Sequence, residues 1–226
     1  MRSAAYTSRV LGARLLSPEV RELTLEHPGG DFGYRAGQWI SLHLPVGEKP
    51  PLVRAYTLAS ASREALHLCL DRYPDGLGSE YLFHLPVGER LQFDGPLGRF
   101  TMPESGPPLL WIARYTGIVP FRAMLQERRK SDKRAPVTLL YAADREEDLI
   151  YLDEFQERAV DDPTLRIETS LGSGPESLTP RLPELLAQQS GAVPMVCGTG
   201  SFVRAIRDWF IERGYERRAI RCESYD

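Results

Sequence analysis

The chain has 226 residues, 42% hydrophobic and 26% charged, with a formal net charge of −3. That composition is globular and allows one large domain or two ordinary ones, and the slight acidity gives nucleic-acid binding no global electrostatic support. No apolar run approaches the roughly 20 residues needed to span a bilayer.

The first half reads as strands. "AYTSRVLGARL", "VRELTLE", "WISLHL", "LVRAYTLAS", "ALHLCLDR" and "RLQFD" are short segments broken by "SPE", "HPGGD", "PVGEKPP", "YPDG" and "PVGE". Pro, Gly and Asp punctuate chains at turns, and β segments at such close spacing form a sandwich or a barrel. One short helix is expected at "GSEYLFHL", with Ser79 placed to cap it.

The second half changes rhythm. Compact apolar strands are expected at "LLWIA" (109–113), "VTLLY" (137–141), "LRIET" (165–169), "VPMVC" (193–197) and "AIRC" (219–222). Between them, Ile118, Phe121, Met124 and Leu125 recur with a helical period, as do Phe202, Ile206, Trp209 and Phe210. Alternating strands and helices build a parallel sheet with helices on both faces. The two regimes meet at "TMPESGPP" (101–108), which divides the chain into domains 1–103 and 104–226. The expected architecture is an antiparallel β-sandwich or barrel followed by a doubly wound α/β domain.

Cys69, Cys197 and Cys222 lie far apart and lack iron–sulfur or zinc spacing. Their odd number argues against a disulfide framework and for a reducing, cytoplasmic setting. His27, His43, His67 and His84 show no metal-ligand spacing, so no metal is expected. The N-terminus shows no signal-peptide apolar stretch.

Open parallel sheets bind ligands beyond the carboxyl ends of their strands. "ARYTG" (113–117), "TSLGSG" (169–174) and "CGTGSF" (197–202) occupy that position. In the barrel half, "RAYTLAS" (54–60) puts Arg54, Tyr56 and Leu58 on one strand face, with a cation beside an aromatic ring. "DGLGSEYL" (75–82) offers Gly76 and Gly78, where backbone can approach a ligand closely. Taken singly, each motif has an ordinary structural explanation as a strand face, a turn or a small buried residue.

Taken in order, "RAYTLAS", "LCLDR", "GLGSEYL", "GPLGRF", "TGIVPFRAML", "YAADREEDLIYLDEF", "VCGTG" and "CESYD" make a sequence that resembles the ferredoxin–NAD(P) reductase family. The resemblance extends from "YRAGQWISLHLP" to the end of the chain. It implies an FAD-binding antiparallel Greek-key β-barrel joined to an NAD(P)-binding, doubly wound α/β domain. By resemblance, Arg54 binds flavin phosphate, Tyr56 packs on the flavin ring and Thr57 offers its hydroxyl to the reactive ring nitrogen. Leu70 and Arg72 flank the cofactor, while Gly76, Leu77, Gly78 and Ser79 hold its pyrophosphate. Arg114, Tyr115, Thr116 and Gly117 match the nicotinamide loop, and Cys197, Gly198 and Thr199 match the segment bordering the nicotinamide. Glu223 and Tyr225 resemble the family's C-terminal ending, here one residue longer because of Asp226. Thr57, Cys197, Glu223 and Tyr225 are thereby the expected catalytic set.

The chemistry would belong to the cofactors, FAD with NADH or NADPH. NADH is the expected choice, because no Lys or Arg lies between Arg166 and Arg181 to meet a 2′-phosphate. A separate acceptor such as ferredoxin or flavodoxin is implied. The basic stretch 126–134 and Arg213, Arg217, Arg218 and Arg221 are candidates to meet it. Two alternatives are a reductase of free flavin and a flavin-binding module with impaired nicotinamide chemistry. The second arises because the family usually has small or glycine residues where Arg114 and Tyr115 stand. Tyr115 is expected to hinder the dinucleotide and Arg114 to pair with its pyrophosphate.

Overall fold

In a computed structural model, residues 5–48, 50–62, 64–103, 106–128 and 135–225 are described. Most of the basic stretch 126–134, the middle of the inter-domain linker at 104–105, and Asp226 lie outside them. The chain divides into two compact units, one of residues 1–102 with 122–126, the other of 103–121 with 127–226.

The first unit is a closed six-stranded barrel. Its strands are β1 (Tyr6–Ser17), β2 (Val20–Glu26), β3 (Trp39–Leu44), β4 (Leu52–Ala61), β5 (Ala65–Asp71) and β6 (Arg90–Leu97). They run in the order β1-β2-β5-β4-β3-β6, and every pairing is antiparallel. Closure removes the exposed edges that an open sheet would present. The period of two is visible in β3, where Ile40, Leu42 and Leu44 are buried and Trp39, Ser41 and His43 are partly exposed. The inward residues join Leu23, Leu25, Leu58, Leu66, Leu68 and Phe93 in one core.

A short helix, α1 (Leu77–Phe83), covers this core with Leu82. Arg21 of β2 donates to the carbonyls of Leu82 and Phe83 in the last turn and of Leu85 just beyond it, where carbonyls lack intrahelical donors. Ser79 does not cap α1, contrary to the sequence expectation. The N-cap position is Gly76, and the Ser79 hydroxyl donates to the carbonyls of Tyr73 and Gly76. The helix starts two residues before Ser79, so its side chain closes the preceding turn.

The second unit holds a five-stranded parallel sheet of order β11-β10-β7-β8-β9. Its strands are β7 (Leu109–Arg114), β8 (Val137–Ala143), β9 (Leu165–Leu171), β10 (Val193–Thr199) and β11 (Arg221–Tyr225). The helices are α2 (Val119–Arg128), α3 (Leu152–Asp161), α4 (Leu182–Gln188) and α5 (Gly200–Ile211). Both sheet faces are buried. Leu110, Ile112, Leu140 and Val196 pack with Leu182 and Leu185 of α4 and Phe202, Ile206 and Phe210 of α5. On the alternate positions Trp111 stacks on Phe121 of α2, with ring centroids 5.2 Å apart. That is the doubly wound arrangement expected from the apolar strand runs. The last strand begins later than "AIRC" suggested, because Arg217–Ala219 form a 3-10 turn and pairing with β10 starts at Arg221.

No helix among the described residues is long and apolar enough to cross a membrane.

Candidate functional site

The barrel unit gathers its candidate residues on β4, β5 and α1. Arg54 is exposed, and its guanidinium donates to the neighbouring carbonyl of Val53 at 2.9 Å. Tyr56 is half-buried against the barrel core. Burial pushes its phenol up to about 12; Asp71 adds to the rise and Arg54 opposes it. Thr57 and Leu70 are buried, and Thr57 pairs with Trp39 across the β3–β4 ladder.

Helix α1 starts against Arg54. A Cβ on Gly78 would lie 3.0 Å from methyl carbons of Leu44 and Leu52 and 3.6 Å from Cγ of Arg54. The glycine therefore lets α1 settle onto the barrel and along the arginine stem. Gly76 donates to the Tyr73 carbonyl at 3.0 Å, and Leu77 is exposed beside it. Arg72 is engaged elsewhere, donating to Glu80 at 2.7 Å with its guanidinium carbon 5.5 Å from the Phe83 ring centre. The sequence reading missed Glu80, although its place on the first turn of the helix after "LDR" is visible in the sequence. These residues suit a flavin: an exposed cation for a phosphate, a half-buried aromatic face for a flat ring, and a buried hydroxyl one residue on.

The second unit has a topological switch point between β7 and β10, where strand order reverses. Ligands of open parallel sheets bind outside such a point. The carboxyl ends there carry Arg114–Gly117 from β7 and Cys197–Thr199 from β10. Gly117 permits a very close approach: a Cβ would stand 2.2 Å from the Cys197 carbonyl oxygen. Thr116 and Gly117 are buried in a 3-10 turn that leads into α2.

Cys197 is fully buried, and Glu223 and Tyr225 stand on the adjacent strand, with Cys197 opposite Glu223 and Thr199 opposite Tyr225. Residues two apart on a strand share a face, so the thiol, carboxylate and phenol are on one side of the sheet. Burial pushes the Cys197 thiol well above its ordinary value. Tyr225 opposes the shift, while the Glu223 carboxylate reinforces it. The sulfur is therefore a neutral thiol at physiological pH, unsuited to attack as a nucleophile. Gly198 is buried behind it and Thr199 is exposed, its hydroxyl 3.3 Å from that of Ser201.

Arg114 and Tyr115 depart from the simple expectation. Tyr115 has φ of +51°, the left-handed conformation in which a side chain is strained. Arg114 donates to Asp144 at 2.6 Å, where Asp144 directly follows β8. The sequence reading missed Asp144, because only the parallel register, Arg114 opposite Ala142, places the two residues at one edge. On β9, Glu168 is paired with Arg166 of the same strand and with Arg181, each at 2.5 Å. Arg145 is held by Glu147 at 2.6 Å and Asp148 at 2.9 Å.

Two family models match the chain, an oxidoreductase FAD-binding domain over residues 9–102 and an oxidoreductase NAD-binding domain over residues 112–208. Ferredoxin–NADP reductase B of Sorangium cellulosum is 36% identical, the match covering 98% of each chain. The toluate 1,2-dioxygenase electron transfer component of Pseudomonas putida is 28% identical over 79% of this chain and 53% of its own length. The chain thus spans nearly all of the first relative and about half of the second. Among solved structures, ferredoxin-NADP+ reductase from Plasmodium falciparum superposes with a TM-score of 0.84 at 19% identity, covering 99% of each chain. An Amycolatopsis cytochrome P450 reductase gives 0.83 at 26% identity over 97% of this chain and 69% of that one.

Proposed function

Because the chain belongs to the ferredoxin–NAD(P) reductase family, FAD- and nicotinamide-binding oxidoreductases, we propose that it oxidises a nicotinamide dinucleotide and delivers the electrons to a separate electron-transfer protein. The observation that carries this reading is the junction of Gly117 with the Cys197 carbonyl, beside Glu223 and Tyr225.

We assign residues 1–103 to flavin and 104–226 to the nicotinamide. Bound FAD supplies the chemistry of accepting two electrons from a nicotinamide and releasing them singly. The protein's part is to bind and orient. Arg54 pairs with phosphate, Tyr56 lies along the flat ring, and Thr57 directs its hydroxyl to the ring edge. The backbone of Gly76, Leu77, Gly78 and Ser79 follows the pyrophosphate, with Leu70 and Arg72 bordering the site. Thr116, Gly117, Cys197, Gly198 and Thr199 receive the nicotinamide half, and Arg114 and Tyr115 modulate its entry. Burial and the Glu223 carboxylate keep the Cys197 thiol neutral next to the nicotinamide, with Tyr225 beside it.

NADH is the proposed donor. Arg166 and Arg181 share the Glu168 carboxylate, and Arg145 is paired with Glu147 and Asp148, so a 2′-phosphate would have to displace existing ion pairs. The Sorangium relative is named for NADP, which makes the comparison of NADH with NADPH decisive. The acceptor is proposed to be a ferredoxin or flavodoxin. All three cysteines are free, as suits the cytoplasm.

The test is a visible spectrum of the purified protein, then anaerobic titration with NADH and NADPH, then turnover with ferredoxin, flavodoxin and free flavin. Flavin bleaching followed by faster turnover with a protein acceptor supports the reading. Turnover with free flavin alone makes the protein a flavin reductase, and flavin that neither nucleotide bleaches makes it a binding module.

A further inference from the structure

The Arg114–Asp144 pair stands at the carboxyl ends of β7 and β8, beside the switch point, and neither residue contributes to the packing of the core. Arg114 ends β7 at the switch point, one residue before the strained Tyr115. Its side chain is 16% exposed, and its Nε is buried with no hydrogen-bond partner among the described residues. The guanidinium has five donors in a planar fork, and one nitrogen is directed to Asp144. Asp144 is 55% exposed and holds no other ion pair among those described. The neighbouring cation, Arg145, already faces Glu147 and Asp148 and also feels the Tyr115 phenol. At this edge Arg114 is therefore the cation with spare donors, and Asp144 is what occupies it.

We propose that Asp144 is a positioning residue for nicotinamide-dinucleotide affinity, acting by competing with the ligand's pyrophosphate for the Arg114 guanidinium. This rests on the nicotinamide reading of the β7–β10 crevice. With Nε buried, the fork left for a bidentate phosphate is the Nη1–Nη2 edge, and Asp144 holds Nη2 of that edge, so a pyrophosphate seated there competes with the carboxylate for the same nitrogen and the same charge. The consequence is an affinity set below what Arg114 alone would give, which favours rapid release of the oxidised dinucleotide.

The experiment uses the flavin-loaded protein and ADP-ribose, which retains the pyrophosphate and lacks the nicotinamide. Binding is measured by isothermal titration calorimetry for the unaltered chain, Asp144→Asn, Asp144→Glu, Arg114→Leu and the Asp144→Asn/Arg114→Leu double variant. Asp144→Asn should tighten binding about three- to fivefold, the scale of one solvent-exposed ion pair. Asp144→Glu should restore the original affinity. In the Arg114→Leu background the Asp144→Asn gain should vanish, which separates action through Arg114 from direct repulsion of the ligand by the carboxylate. A gain of equal size in that background overturns the proposal, as does unchanged or weaker binding in Asp144→Asn alone. Failure of all variants to bind ADP-ribose, with no bleaching by NADH or NADPH, overturns the nicotinamide reading and this proposal with it. Bleaching without the Asp144 effect overturns this proposal only.

Discussion

Replacing Tyr115 tests the loop at its most unusual residue. The φ of +51° costs a side-chain-bearing residue roughly 1–2 kcal/mol, a strain that glycine does not feel. Glycine loses about 0.5–1 kcal/mol through the freedom it adds to the unfolded chain. It also forfeits the contacts of a half-buried ring. These terms nearly cancel, so Tyr115→Gly should move stability by no more than about 1 kcal/mol in either direction. Binding should respond differently. The strain is present with and without ligand, so only removal of the ring changes affinity. Tyr115→Ala keeps the strained φ and removes the ring. Both variants should therefore tighten nicotinamide binding alike, while the alanine variant melts lower than the glycine one. The assay is anaerobic stopped-flow bleaching of the flavin across a series of NADH concentrations, with thermal melts alongside. If both variants bind more weakly and bleach more slowly while the flavin stays bound, the ring contributes to the site and the obstruction argument is wrong.

Arg54→Ala should weaken FAD binding by roughly tenfold or more, since a charge-assisted contact to phosphate is lost; flavin retained through gel filtration at an unchanged ratio would contradict this. Asp162→Ala should be strongly destabilising, by about 3–5 kcal/mol, because Arg128 would be left buried without its carboxylate; calorimetric unfolding measures it. Burial disfavours the Asp162 carboxylate, but hydrogen bonds from Thr164 and Arg128 outweigh burial and hold its pKa below the usual value. The stability it contributes is therefore complete above about pH 4 and is lost as pH falls through the depressed folded-state value, so the acid limb of a melting profile should flatten in Asp162→Asn. Cys197, fully buried with a raised thiol pKa, should resist iodoacetamide in the folded protein at pH 8 and react on unfolding, as peptide mapping would show.

Much of this protein was legible as pattern. Alternation in "WISLHL" specifies a strand with one buried face, and the structure buries Ile40, Leu42 and Leu44. Continuous apolar runs such as "LLWIA" require burial on both faces, and Trp111 and Ile112 are indeed covered from opposite sides. These features are local, because the periods of strand and helix repeat within a few residues. The family was legible too, because its motifs are short and keep their order.

What sequence could not decide were pairings between distant residues. Arg114 appeared free to take a pyrophosphate. It is bound to Asp144, 30 positions away, because parallel strands β7 and β8 end side by side. Arg72 looked available to a cofactor and is held by Glu80, and Ser79 looked like a cap and closes a turn instead. Glu223 and Tyr225 come beside Cys197 only because β11 adds to β10 in one register. An ion pair or a strand register depends on where the chain returns in space. A sequence states which groups are present, and the tertiary fold decides which of them meet.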